Sequence, residues 1–120
     1  MPRILFVDDE ETIRKSCEFA FSLHDYDVVA VSSAKEAEGA LKMNFFDAMI
    51  LDVNMPEEKG SEFLERVRKS KNDIPVIVFS GAVGPEAEKA LFELGANGVV
   101  DKALGVAALI RKVREVLKIK

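Results

Sequence analysis

Ile4-Leu5-Phe6-Val7-Asp8-Asp9 sets the reading of the whole chain: a short apolar run that stops at two carboxylates. The arrangement recurs. Ala48-Met49-Ile50-Leu51 ends in Asp52, Val76-Ile77-Val78-Phe79 ends in Ser80, and Val99-Val100 is followed by Asp101 and Lys102. If these runs are parallel strands, their ends open on one rim of the sheet, where open α/β sheets bind ligands. Carboxylates, a hydroxyl and an ammonium from distant parts of the chain then converge on one crevice. That donor set suits a divalent metal and a phosphoryl group.

Working outward, the chain reads as five strand–helix repeats with no linker, low-complexity tract or sequence repeat. Strands are expected at Arg3–Val7, Asp27–Val31, Ala48–Leu51, Val76–Phe79 and Gly98–Val100, short and rich in Val and Ile as strands buried on both faces should be. The second, Val28-Val29-Ala30-Val31, has nothing at its end to match the others and is expected at the sheet edge, outside the site. Ile13, Cys17, Ala20 and Phe21 form the apolar stripe of the first helix. Ser33-Ala34-Lys35-Glu36 is a capping box opening the second, which runs to about Met43 with Ala37, Ala40 and Leu41 inward. Gly60-Ser61-Glu62 opens the third, with Phe63, Leu64 and Val67 at helical spacing, and Pro75 marks the next strand. Gly84-Pro85 opens the fourth and Gly95 suits its left-handed C-terminal residue. The fifth carries Val106, Leu109, Ile110, Val113 and Leu117 on one face, with Gly105 as a weak N-cap. Alternating strand and helix implies right-handed crossovers and a doubly wound α/β fold: one five-stranded parallel sheet, order 2-1-3-4-5, flanked by five helices. Strands one and three are then neighbours, and so are Asp8-Asp9 and Asp52.

With 120 residues this is one domain, spanning 1–120, and a 48% hydrophobic content is ample for a single core. Seventeen Lys and Arg against 21 Asp and Glu give a net charge of −4, which argues against nucleic acid as a partner. No apolar run approaches the ~20 residues that span a bilayer, and Met1-Pro2-Arg3 does not begin a signal peptide. Cys17 is alone, so neither a disulfide framework nor a Cys-type zinc site is expected; it reads as a small buried hydrophobe. His24, the only histidine, falls at the end of the first helix, and Met43, Met49 and Met55 read as packing residues.

Carboxylates gathered in a crevice repel one another, and a hard divalent ion relieves that repulsion. Mg²⁺ takes one or two carboxylates and fills its remaining positions with waters and phosphate oxygens, whereas Ca²⁺ wants more protein oxygens than these segments offer. Ser80 and Lys102 are not needed by a pure metal site but are placed for phosphoryl oxygens, with Asp52 as an in-line nucleophile. Each of these residues also has an ordinary alternative. An Asp or Ser at a strand end is commonly a turn former or helix cap, and Asp8-Asp9-Glu10-Glu11 could simply favour a helix dipole.

The whole chain resembles a response-regulator receiver domain of two-component signalling, of the chemotaxis-regulator type with a flavodoxin-like fold. The resemblance rests on Val7-Asp8-Asp9-Glu10, Leu51-Asp52-Val53-Asn54-Met55-Pro56, Gly60, Ser80-Gly81-Ala82, Gly95-Ala96 and Lys102. It implies a cytoplasmic phosphoacceptor switch rather than a conventional enzyme, catalysing only its own phosphorylation and dephosphorylation. Asp52 would be the phosphoacceptor. Asp9 would hold Mg²⁺ directly, Asp8 mainly through water, and Asn54 through its backbone carbonyl, with Asp52 completing the metal set. Ser80 and Lys102 would hold phosphoryl oxygens, helped by a backbone N–H from Ser80, Gly81 or Ala82. The donor would be a phosphohistidine on a sensor histidine kinase or phosphotransfer protein, or a small acyl phosphate.

Three positions depart from the family's pattern. Lys102-Ala103 stands where the family has Lys-Pro with a cis peptide, and is expected to be trans. Val99 stands where a Tyr or Phe usually rotates inward. Gly105-Val106-Ala107-Ala108 lacks the acids often found there. Activation should therefore show in the Ser80–Gly84 loop and the fourth helix. The face formed by the fourth helix, fifth strand and fifth helix, with Phe92, Val99, Leu104 and Val106, is expected to carry a downstream target, a kinase or a homodimer contact. A docking module that no longer depends on phosphate is the alternative motivated by Val99 and Ala103. A haloacid-dehalogenase-type phosphatase is disfavoured because Glu10 breaks the Asp-x-Asp signature, and an FMN site because the first loop is acidic. No effector domain is expected after Leu117-Lys118-Ile119-Lys120, so the chain either acts through partners alone or is a receiver cut from a longer protein.

Overall fold

The computed structural model describes residues 1–118; Ile119 and Lys120 lie outside the described residues. Strands β1 (Arg3–Val7), β2 (Asp27–Val31), β3 (Ala48–Leu51), β4 (Val76–Ser80) and β5 (Gly98–Asp101) alternate with helices α1 (Glu11–Ser22), α2 (Ala34–Met43), α3 (Gly60–Lys69), α4 (Pro85–Glu93) and α5 (Gly105–Leu117). All strand pairs are parallel, in the order β2-β1-β3-β4-β5. This is the doubly wound sheet the sequence predicts, with β2 at the edge and its Val28–Val31 run only half-buried.

Strand residues divide between two cores by parity. Leu5, Val7, Met49, Leu51, Val76 and Val78 pack with Ala37 of α2, Phe63, Leu64 and Val67 of α3 and Leu91 of α4. Ile4, Phe6, Ile50, Ile77 and Phe79 face the opposite way, onto Cys17 and Phe21 of α1 and Leu109, Ile110 and Val113 of α5. The central strands bury every side chain, which is why they show no polar alternation.

Several local expectations are refined. Ser33 caps α2 by accepting from the Glu36 N–H at 3.1 Å, but the Glu36 carboxylate reaches the Ser32 N–H instead of closing the box on Ser33. Ser32 follows the last residue of an edge strand, so its N–H is free to take that partner. A 3₁₀ turn, Lys102–Leu104, intervenes before α5, and Gly105 at φ +85° redirects the chain into the helix. Met43 does not pack: as the last residue of α2 it is 81% exposed, while Met49 and Met55 are buried as expected. No helix among the described residues is long and apolar enough to cross a membrane.

Candidate functional site

The carboxyl ends of β1, β3, β4 and β5 meet on one rim, and each delivers the side chain the sequence singles out. Register places Val7 beside Leu51, so Asp8 and Asp52 leave adjacent strands at the same level. The Asp52 N–H still donates to the Val7 carbonyl (3.0 Å), and the Asp8 N–H to that of Val31 (3.1 Å). Ser80 pairs in register with Asp101, immediately before Lys102.

Asp8, Asp52 and Ser80 are buried in a chain that otherwise buries apolar side chains. Burial of unpaired charge is costly, and the bonding here shows how that cost is offset. Asp52 Oδ1 accepts from the Ser80 hydroxyl at 2.8 Å and from the Asn54 N–H at 2.9 Å, while Oδ2 accepts from Lys102 Nζ at 2.9 Å. Lys102 Nζ also lies 2.9 Å from Asp8 Oδ2 and 3.7 Å from a Glu10 carboxylate oxygen. Burial works against the ammonium, but Asp8 and Asp52 together outweigh it and hold its pKa above the ordinary lysine value. Asp8 is pushed the other way from a normal acid. Burial raises its pKa, the Asp52 charge adds to the rise, and the Lys102 ammonium and Glu10 N–H only partly counter it.

Three strand-end aspartates share one local motif. Asp8 accepts from the Glu10 N–H (2.9 Å), Asp52 from the Asn54 N–H (2.9 Å) and Asp101 from the Ala103 N–H (2.8 Å), each two residues on. The turn-forming alternative is therefore true of all three. For Asp8 and Asp52 one oxygen makes the turn and the other faces the crevice. Asp101 has a different fate: it caps the 3₁₀ turn, and the acidic group comprises Asp8, Asp9 and Asp52. Asp9 is exposed at the mouth.

Could these residues hold a divalent cation? Carboxylate oxygens of Asp8, Asp9 and Asp52 lie within 4.8 Å of one another. Asp8 Oδ2 is buried, with the Lys102 ammonium at ion-pair distance, 2.9 Å, as its close partner. A buried carboxylate oxygen with spare capacity, two further acids and one ammonium leave a net negative, oxygen-only donor set. It fits a hard divalent ion.

Features beyond the sequence reading also shape the site. The Asn54 side chain donates to the Ser80 hydroxyl (3.0 Å) and to the Gly81 carbonyl (3.3 Å), tying the loop after β3 to the loop after β4. Ala82, in that second loop, sits in the left-handed region at φ +53°. Gly60 is required by proximity: a Cβ there would lie 2.5 Å from the Asp52 carbonyl oxygen and 2.6 Å from Val53 Cα. The sequence shows Asn54 but not its partners, since its side chain reaches from one loop to the next. The Lys102–Ala103 peptide is trans, as expected.

Known proteins resemble this chain in both sequence and fold. The family model described as "Response regulator receiver domain" matches residues 4–114. The Regulatory protein VirG of Agrobacterium fabrum is 29% identical over 121 residues, covering 100% of this chain and 47% of the relative. The Response regulator SaeR of Staphylococcus aureus is 32% identical over 117 residues, covering 98% and 51%. The chain thus spans about half the length of the curated relatives it matches. Among solved structures, the Francisella response regulator 1452 receiver domain superposes with a TM-score of 0.93 at 25% identity, covering 98% of each chain. The chemotaxis protein CheY4 of Vibrio cholerae gives 0.90 at 29% identity, covering 97% of this chain and 98% of that one.

Proposed function

Because the chain belongs to the response-regulator receiver family of two-component systems, we propose that it is a phosphoacceptor switch working at Asp52. The observation that carries this reading is a buried carboxylate whose two oxygens are held by Ser80, the Asn54 N–H and Lys102, with Asp8 and Asp9 alongside. Such an acid is fixed in orientation and kept from bulk water, and both conditions favour a nucleophile aimed at one phosphorus.

In the proposed step an Asp52 oxygen attacks the phosphorus of a phosphohistidine or small acyl phosphate. The P–O bond to Asp52 forms as the bond to the donor nitrogen or acyl oxygen breaks, and the leaving group carries away the electron pair. Lys102 and the Ser80 hydroxyl, with an N–H from the Gly81–Ala82 segment, take the phosphoryl oxygens. Asp8, Asp9, Asp52 and the Asn54 carbonyl would hold Mg²⁺, which when bound supplies charge neutralisation between the carboxylates and the transferred group. Asn54 keeps the Ser80 hydroxyl directed at Asp52, because an oxygen accepting from the amide turns its own proton the other way.

Sensor histidine kinases or phosphotransfer proteins are the donors this reading implies, and the cytoplasm is where they would meet it. Output would run through the α4–β5–α5 face to a downstream protein or a second copy, where Phe92 and Leu104 are exposed. One observation favours the alternative of a docking module independent of phosphate: Val99, half-buried against the core, has no ring to exchange between rotamers. The test of the main reading is incubation with Mg²⁺ and acetyl phosphate. One hydroxylamine-labile phosphoryl mass should appear on Asp52. Modification mapped to Ser80 would overturn the mechanism, and a partner affinity unaffected by phosphorylation would favour the docking module.

A further inference from the structure

One cation of α1 grips the framework of the crevice without facing it. Arg14 Nη1 donates to the main-chain carbonyl of Asp8 at 2.8 Å, and the side chain is half-buried. That carbonyl has no strand to pair with, because the β1 ladder stops at Val7 on both sides. A partly buried carbonyl without a partner is costly, so the guanidinium answers a need created where the strand ends. Its place is otherwise unfavourable. Arg14 reaches back over the first turn of α1, the positive end of the helix dipole, where a cation is disfavoured.

The gain therefore lies in Asp8 and not in the helix. With Arg14 in place, Asp8 is fixed at three points: its N–H on Val31, its carbonyl on Arg14 and one carboxylate oxygen on the Glu10 N–H. The other carboxylate oxygen is buried beside the Lys102 ammonium, 2.9 Å away, and Asp8 as a whole is held in the acidic group with Asp9 and Asp52. We propose that Arg14 is a positioning residue for the cation site, clamping the Asp8 main chain so that the Asp8 and Asp9 carboxylates face Asp52 before a metal arrives. This rests on the reading of that group as a divalent-cation site.

The sign of the effect separates positioning from simple charge. A cation near three carboxylates weakens metal binding through repulsion, so a purely electrostatic Arg14 would make its removal tighten Mg²⁺ binding. A clamp makes its removal loosen binding, as loss of a group that orients metal ligands does. The experiment measures Mg²⁺ affinity of the full chain by calorimetric titration and by melting temperature against Mg²⁺ concentration. Arg14→Met keeps the aliphatic stem and packing; Arg14→Lys keeps charge and a donor. Arg14→Met should bind Mg²⁺ about tenfold more weakly, and Arg14→Lys should recover most of the loss. If Arg14→Met binds as tightly as wild type, or more tightly, the clamp is wrong while the metal site stands. If wild type itself shows no response to Mg²⁺, the metal reading fails and the clamp falls with it.

Discussion

The rim at Asp52 and the face formed by α4, β5 and α5 are made of opposite materials. At the rim, polar groups from four strand ends meet, Asp8, Asp52 and Ser80 are buried, and directional bonds to Asn54 and Lys102 dictate the partners of Asp52 and Ser80. On the face, Phe92 and Leu104 are exposed, Val99 and Val106 are half-buried, and none of their side chains offers a directional bond. The contrast teaches where constraint lies. Chemistry at a buried polar network tolerates almost no exchange, whereas an apolar surface can change its residues and still bind something. Of the positions where the resemblance is imperfect, Val99 and residues 105–108 fall on the second region, while Ala103 adjoins Lys102 at the edge of the first.

The comparison breaks most sharply at Asp52. Asp52→Asn is nearly isosteric and should remain folded, yet it should lose phosphoryl incorporation entirely, read by intact mass after incubation with acetyl phosphate. Lys102→Ala should follow, costing about 3 kcal/mol of stability without metal, because it leaves Asp8 and Asp52 buried without their shared cation. Mg²⁺ should restore part of that loss, so the metal-dependent rise in melting temperature should exceed wild type's; an equal rise would mean that Lys102 and the metal do not share the acids. Gly60→Ala ranks third, at about 2 kcal/mol by denaturant titration, since its Cβ must displace the main chain at Asp52 and Val53.

A pH series sharpens the contrast. The folded pKa of Asp8 is raised above the ordinary 3.8, chiefly by burial. Stability from this group is present below 3.8 and lost as pH rises through the raised folded value. Asp8→Asn should therefore stabilise the metal-free protein near neutrality, with the difference from wild type closing as pH falls toward 3.8. A gap that stays constant with pH would show that packing, not charge, is responsible. The smallest expected effect belongs to the apolar face. Phe92→Glu or Leu104→Glu should change stability by less than about 0.5 kcal/mol and leave Asp52 phosphorylation intact, while weakening whatever association this face makes.

The sequence announces the sheet because its strands are buried on both faces and so stand out as unbroken apolar runs. It announces the site because those runs end in Asp8, Asp52, Ser80 and Lys102. The strand-end pattern alone does not distinguish Asp101 from Asp8 or Asp52, since all three make the same turn; in the fold Asp101 caps the 3₁₀ turn and stands outside the acidic group. Nor does it show Arg14 on the Asp8 carbonyl or the Asn54 amide across two loops, for which the partners are fixed by tertiary closure rather than by spacing. Met43 illustrates the reverse limit. Its apolar side chain ends a helix with nothing opposite, and hydrophobicity alone does not supply a partner.

Cys17 lies in the core between α1 and the sheet, fully buried, and burial pushes its thiol up to about 12. A thiol-directed reagent needs both access and a thiolate, and the folded chain grants neither. The side chain is thus a built-in reporter of opening: labelling at this one position marks each excursion in which α1 leaves the sheet. Its rate, followed as metal or phosphoryl donor is added, would time how firmly the crevice holds down the helix that begins beside it.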